Sequence, residues 1–186
     1  MSRFWSWISN REVEGSAPQA EEAPAAVREE VEIYTADRVI LAKIQADGRR
    51  LSDMLNSSYD LQIFDPQAFA LDGTPMADDT FEGEATISTD DIRVVMPPAR
   101  QSPRQMRVHR RRRRVEAQLG DLRVAGSVHL SPGAELDPMA WRKQMRFVPL
   151  TDALLQREGD SPMERGAAVI LINLGPIKEL REVEVS

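Results

Sequence analysis

The chain of 186 residues contains no cysteine, which excludes disulfide bonds, thiolate metal sites and cysteine nucleophiles. Its two histidines are too few for a multi-histidine metal centre. No apolar run approaches the roughly 20 residues that cross a bilayer. No basic and then apolar leader opens the sequence, so we expect a cytoplasmic protein. With 41% hydrophobic and 29% charged residues, the composition is typical of a globular chain with one or two domains.

Motifs that carry chemistry are also scarce. The sequence has no glycine-rich phosphate loop, no nucleophile elbow and no cluster of metal ligands. Asp78-Asp79 and Asp90-Asp91 lack the alternating spacing that wraps calcium, which favours solvated turns. No histidine is placed to activate Ser52, and His129 on a strand points away from the apolar face. We therefore predict a protein that is not an enzyme, with no catalytic, cofactor or metal site.

Charge is strongly segregated along the chain. Residues 1–30 carry a net charge of -3, residues 31–98 carry -8, and residues 115–186 carry -3. Between them, residues 99–114 hold eight arginines and no acid, a net charge of +8. Any contact with a polyanion would have to pass through this basic segment.

The basic segment has three interpretations. As a connector, it pairs its arginines with the acidic residues 31–98. As a nucleic-acid site, it neutralises phosphates, although it lacks the aromatic residues that stack on bases. As a third option, it binds another acidic partner or lipid headgroups. The residues that would bind a polyanion are Arg107, Arg110, Arg111, Arg112, Arg113 and Arg114.

The N-terminus carries an aromatic peptide on a tether. The tether, rich in Glu, Ala and Pro, has too few apolar residues to offset chain entropy, so residues 1–30 are predicted to be an aromatic peptide with a disordered linker. Such a tip either docks on a partner or folds back onto the protein's own surface. The candidate protein-binding residues are Phe4, Trp5, Trp7 and Ile8.

Short strands and turns dominate the remainder. The alternation of apolar and polar residues predicts two strands, a helical turn and three more strands over residues 31–98, and the same series over 115–186. Ser52 and Asp137 are the expected helix N-caps, with Pro138 in the first helical position. Trp141 and Met145 share a helical face, which either packs over the second unit's open end or binds a partner.

The two series match at a nearly constant spacing. Gly48 and Gly133, Met54 and Met139, and Ile87 and Ile172 are among the pairs that lie 85 residues apart, as are Val39 and Val124, Leu51 and Leu136, and Ile92 and Ile177. Phe64 and Phe147, like Pro66 and Pro149, lie 83 apart. The spacing indicates an internal duplication, the signal that decides the fold. Because strands so short and closely spaced suit antiparallel pairing, we predict two tandem small antiparallel β-barrels, each with one short helix.

Residues 48–56 resemble the Gly-x-x-Leu-Ser-Asp-x-Leu-Asn signature of a bacterial domain family of unknown function. That resemblance covers residues 31–98, and residues 115–186 look like a degenerate second copy. More loosely, Gly126 within a strand, residues 147–153 and residues 175–177 are similar to the pattern of Sm-like and SH3-like barrels. The looser resemblance implies barrels that pair through edge strands. The Asn and Arg-Gly pair of an Sm-like RNA site are not clearly present.

Together these features predict a non-enzymatic adaptor or assembly protein. It would bind another protein, or itself, through the N-terminal aromatic peptide and the barrel surfaces. RNA or DNA binding through the arginines is one alternative, and association with a membrane surface as a scaffold is another.

Overall fold

Ten β-strands and two short α-helices make up the part of the chain that the structure, a computed structural model, describes: residues 27–97, 111–131, 133, 135, 137–157 and 162–183. The elements are β1 (Arg28–Tyr34), β2 (Arg38–Gln45), α1 (Leu51–Ser57), β3 (Asp60–Ala70), β4 (Glu84–Ser88), β5 (Val94–Met96), β6 (Arg111–Leu119), β7 (Leu122–Leu130), α2 (Pro138–Arg142), β8 (Phe147–Arg157), β9 (Met163–Asn173) and β10 (Glu179–Glu182), with a 3-10 turn over Ala77–Asp79. The predicted mainly β class is confirmed. We call β1 to β5 with α1 the first half, and β6 to β10 with α2 the second half.

All ten strands belong to one antiparallel sheet with the order β10-β6-β7-β8-β9-β5-β1-β2-β3-β4. The expectation of two separate closed barrels differs from this pairing. The last strand of the first half, β5, pairs with β9 of the second half. The two halves are therefore joined by hydrogen bonds between one edge strand of each. Within the described residues the end strands β4 and β10 do not pair with each other, and the sheet is open.

The strands form because their apolar residues recur at every second position. Burial alternates along β2 and along β7, where Val124, Gly126 and Val128 face inward and His129 turns away, as predicted. Two apolar clusters result, one centred on each half. β1 begins at Arg28, inside the segment assigned to the linker, and β6 begins at Arg111, inside the predicted basic connector.

The two helices begin differently. At α2 the prediction is confirmed, since the Asp137 carboxylate accepts hydrogen bonds from the Met139 N–H (2.9 Å) and the Ala140 N–H (3.1 Å), with Pro138 in the first turn. At α1 the predicted cap is wrong. The helix already includes Leu51, its N-cap is Arg50, and no side chain caps it. An earlier start places Leu51 and Leu55 on one face, where both are buried.

The hydrogen-bond register relates the halves more accurately than the sequence spacing did. Ile87 and Ile172 occupy matching positions, as predicted. Each pairs with the second residue of the preceding long strand, Leu61 in β3 and Val148 in β8. Both β2 and β7 carry a bulge, just after Leu41 and Ala125, which lie 84 residues apart. Opposite each bulge, the partner strand is also irregular. Asp65 of β3 and Asp152 of β8 are non-glycine residues with positive φ (50° and 48°).

The predicted match of Phe64 with Phe147 does not follow this register. Phe64 pairs with Glu84, and the residue in the matching place of the second half is Thr151, which pairs with Val169. Counting back along β8 from Thr151 puts Phe147 in the place of Asp60, at the start of β3. The shared Phe-x-Pro motif therefore lies at different positions of the two strands.

Candidate interaction surfaces

The contact between the halves is a strand-to-strand joint. Val94 pairs with Ile172 and Val95 with Leu171. The pairing continues one step further, where the Asn173 N–H donates to the Arg93 carbonyl at 2.9 Å. We call this pairing, with the side chains packed around it, the inner joint.

Apolar side chains cross the inner joint in both directions. Phe147 and Leu171 of the second half are buried in the cluster of the first half. Tyr34, Val94 and Met96 of the first half are buried in the cluster of the second. The halves therefore share their cores, and burial of this apolar surface stabilises the joint.

Two asparagines satisfy the polar groups around the inner joint. The Asn56 side-chain oxygen accepts from the N–H groups of Arg146 (2.7 Å) and Phe147 (2.8 Å), and its amide donates to the Phe147 carbonyl (2.9 Å). From the end of β9, the buried Asn173 amide donates to the carbonyls of Thr89 (3.1 Å) and Ile92 (2.7 Å). Because a buried polar group is costly when unpaired, the bonds of the buried Asn173 fix the register of the joint, and those of the exposed Asn56 add to them.

Charged groups add a second layer of contacts across the joint. The Arg146 guanidinium of the second half lies 3.0 Å from the Asp90 carboxylate and 5.1 Å from the Tyr59 ring centre. Arg165 lies 2.9 Å from Glu32. Tyr34, fully buried, donates its hydroxyl to Glu32. Burial, helped by that hydrogen bond, raises the pKa of Tyr34 above its usual range, so the phenol stays a donor.

A groove of about 570 Å³ opens beside the inner joint. It forms because β5 is only three residues long, so β1 and β9 face each other beyond its end. Its lining includes the apolar residues Val31 and Met96 and, of both charge signs, Lys43, Asp65 and Arg165. Such a wall does not select a ligand of one charge.

The part of the basic segment that the structure describes is a strand with partners in its own half. Arg112 lies 3.6 Å from the Asp152 carboxylate, Arg113 lies 2.7 Å from Glu182, and Arg114 donates to the Asp152 carbonyl at 2.8 Å. These partners belong to the second half, not to the acidic residues 31–98. Arg107 and Arg110 lie outside the described residues.

The predicted docking peptide, with Phe4, Trp5, Trp7 and Ile8, also lies outside the described residues. The second aromatic candidate is placed: Trp141 and Met145 are partly buried against the apolar cluster of the second half, as the packing interpretation expected. Exposed apolar side chains remain at Met139 (64% exposed) and Tyr59 (75%).

Among the described residues two arginines are buried, Arg38 of the first half and Arg157 of the second. Arg38 is 4% exposed, and its guanidinium contacts Asp37 (2.9 Å) and Asp79. The hydrogen bond from Arg38 lowers the pKa of Asp37, and the same bond raises the pKa of Arg38. The sequence contained no signal for this cluster, because Asp37 and Asp79 are distant along the chain and resemble other turn residues.

Among the described residues no group of three or more metal-ligating side chains comes together. Within that same portion, no helix is both long and apolar enough to cross a membrane. Comparison of the chain with protein-family models, with curated proteins and with solved structures found no match.

Proposed function

We propose that this chain is a non-catalytic assembly protein that associates with itself. The observation that carries the proposal is the inner joint. There two similar sets of five strands are fused by edge pairing, by shared apolar cores and by asparagine side chains that bind backbone groups of the facing half. An interface of this kind is how separate β proteins associate, and here it is built into one chain.

We also infer that the halves arose by duplication of one small barrel-like unit. The same element order, the matching bulges and the matching positive-φ aspartates support this. A unit that joins a copy of itself within a chain has a surface suited to joining copies between chains.

The N-terminal peptide supplies a second contact in this proposal. Aromatic side chains dominate the energies of protein interfaces, and a tether raises their local concentration once another contact is made. Phe4, Trp5, Trp7 and Ile8 would then strengthen an assembly that the folded part begins.

The mass of the protein in solution tests the proposal. Light scattering on the full chain is expected to give species heavier than the 20.9 kDa chain, and deletion of residues 1–11 is expected to lower that mass while the fold is kept. A full chain of 20.9 kDa at every concentration would overturn self-association. An unchanged mass after the deletion would remove the peptide from the proposal.

A separate binding assay tests the alternative that the chain binds a polyanion. The partners of Arg112, Arg113 and Arg114 support a structural role for the basic strand, so we expect little affinity for a generic RNA or DNA oligonucleotide. Affinity that falls steeply with salt would favour the nucleic-acid function instead. Sedimentation with anionic liposomes tests membrane-surface association in the same way.

A further inference from the structure

We infer that the partner is a second copy of this chain, docked with its β4 against β10 of the first copy in the register of the inner joint. The inference rests on the proposed self-association and names the surfaces that produce it. Among the described residues, β10 and β4 are the two ends of the sheet. They are also the strands that correspond to β5 and β9.

The register can be read from the inner joint. Val94 and Val95 of β5 correspond to Glu179 and Leu180 of β10, because each pair occupies the same place beside β1 or β6. Ile172 and Leu171 of β9 likewise correspond to Ile87 and Thr86 of β4. The inner pairs Val94–Ile172 and Val95–Leu171 therefore predict Glu179 opposite Ile87, and Leu180 opposite Thr86, between copies.

The backbone around both outer strands has the same hydrogen bonds as at the joint. The Lys178 N–H donates to the Gln118 carbonyl at 3.0 Å, as the Arg93 N–H donates to the Tyr34 carbonyl at 2.8 Å. The Thr89 N–H donates to the Tyr59 carbonyl at 2.8 Å, as the Leu174 N–H donates to the Arg146 carbonyl at 2.7 Å. The backbone hydrogen bonds that position β10 and β4 are thus the same as those that position β5 and β9.

The side chains differ, and the difference sets the strength of the contact. Where the inner joint has Val94, Met96 and Leu171, the outer strands carry Glu179, Arg181 and Thr86 in the corresponding places, and Asp60 of β3 replaces Phe147 of β8. Short, charged edge strands resist uncontrolled pairing. Docking here therefore rests on backbone hydrogen bonds and charge, which makes it weaker than the inner joint and reversible.

Opposite charges meet in the docked arrangement. Arg93 reaches over the turn that follows β6 and donates to the Leu119 carbonyl at 3.2 Å. Its counterpart Lys178 would lie over the turn that follows β1 in the next copy, which carries the exposed Asp37. The exposed Lys143, at the end of α2, would likewise approach Asp60. Because β10 also carries Glu179 and Glu182, the two lysine contacts are the attractive charge pairs of this arrangement, and their screening predicts association that weakens with salt.

The contact is head to tail, since each copy offers one β10 and one β4. Such heterologous contacts give a closed ring when the rotation between copies closes, and a filament when it does not. A dimer related by a two-fold axis would instead pair β10 with β10, or β4 with β4.

Cysteine cross-linking tests the register directly, because the chain has no cysteine of its own. Directly opposed strand residues have Cβ atoms about 4.5–5.5 Å apart, close enough for disulfide formation with small adjustments. The double variant Thr86→Cys/Leu180→Cys of the full chain is expected to give a ladder of disulfide-linked dimers and larger species under mild oxidation. A mixture of the two single variants is expected to stop at dimers.

The matched control is Thr86→Cys/Glu182→Cys, which keeps both cysteines on the same strands but shifts the register by two residues. It is expected to cross-link at least fivefold less than the first pair. Equal yields from both pairs, no cross-linking above the single variants, or efficient dimers from Leu180→Cys alone would each overturn the inference. If cross-linking fails while the full chain still exceeds 20.9 kDa, the edge contact is wrong and self-association stands.

Discussion

The two halves solve the same packing problem with different residues. In the first half, the position after the turn that follows β1 holds the buried Arg38, neutralised by Asp37 and Asp79. In the second half, Leu122 occupies the matching place and is 1% exposed. A buried ion pair carries a desolvation cost that a leucine does not. We expect the Arg38 cluster to make stability depend on acid pH, which Leu122 at the matching place cannot do.

A second difference lies at the bulges. The first half has Ala42 just after Leu41, and the second half has Gly126 just after Ala125. A Cβ atom added at Gly126 would lie 2.7 Å from the Leu150 Cβ. The second half has therefore closed its sheet more tightly at this point, and glycine is the residue that permits it.

The largest expected effect comes from a substitution that disrupts the apolar core shared by the two halves. Phe147→Ala removes a fully buried ring of the second half from the first half's cluster, and we expect a loss of about 3–5 kcal/mol in unfolding free energy. Phe64→Ala is the matched control, because Phe64 packs beneath the Arg28 guanidinium and belongs to neither cluster. Chemical denaturation measures both. Phe64 is also buried (6% exposed) and its loss has a similar transfer cost, so the contradicting result is a loss below about 1 kcal/mol from Phe147→Ala.

The next effect separates the halves by their electrostatics. Arg38→Met leaves the Asp79 carboxylate without its buried cation, at a cost of about 2–3 kcal/mol. Because Arg38 lowers the pKa of Asp37, the wild type gains stability from this pair above the usual Asp value near 3.8 and loses it as the pH falls through the lowered value.

The same variant should therefore show a weaker dependence of stability on acid pH. Denaturation curves of the wild type and Arg38→Met across the acid range measure this. Parallel pH profiles would show that the buried cation has no such influence.

A smaller effect tests the bulges. Gly126→Ala should cost about 1–3 kcal/mol through overpacking against Leu150. The reciprocal change in the first half, Ala42→Gly, should cost only about 0.5–1 kcal/mol, because it mainly adds backbone freedom. Thermal melts of both variants decide the point. A Gly126→Ala protein as stable as the wild type would mean that the two bulges pack alike.

The smallest effect concerns the basic strand. Arg113 and Glu182 are both about two-fifths exposed, so Arg113→Ala should cost less than about 1 kcal/mol. The measurement is the denaturation midpoint at low and high salt. A loss above 2 kcal/mol would make this pair a main support of β10 instead of a surface contact.

Much of the fold follows from local sequence patterns. Alternating apolar residues located the strands, and Asp137-Pro138 located the start of α2. Ser52 misled because a serine before an apolar run is typical of an N-cap, whereas burial of Leu51 moves the helix start forward. The predicted match of Phe64 with Phe147 was wrong because two strands can share a sequence motif without sharing the hydrogen-bond register.

The inner joint was not predictable from local patterns. Strands that pair across a domain boundary look like any other strands, and Asn56 and Asn173 become partners of distant backbone groups only after folding. The partners of the arginines were likewise hidden, because Asp152 and Glu182 lie far along the chain from Arg112 and Arg113.

The most direct test of copy-to-copy docking is sedimentation velocity of the full chain over a concentration series, at low and high salt, beside Lys178→Glu. We predict that the wild type grows beyond 20.9 kDa with concentration at low salt and returns toward it at high salt. Lys178→Glu should weaken the association at low salt at least tenfold, because it places like charge over the turn that carries Asp37. A wild type that stays at 20.9 kDa throughout, or a Lys178→Glu protein that associates equally well, would contradict the account.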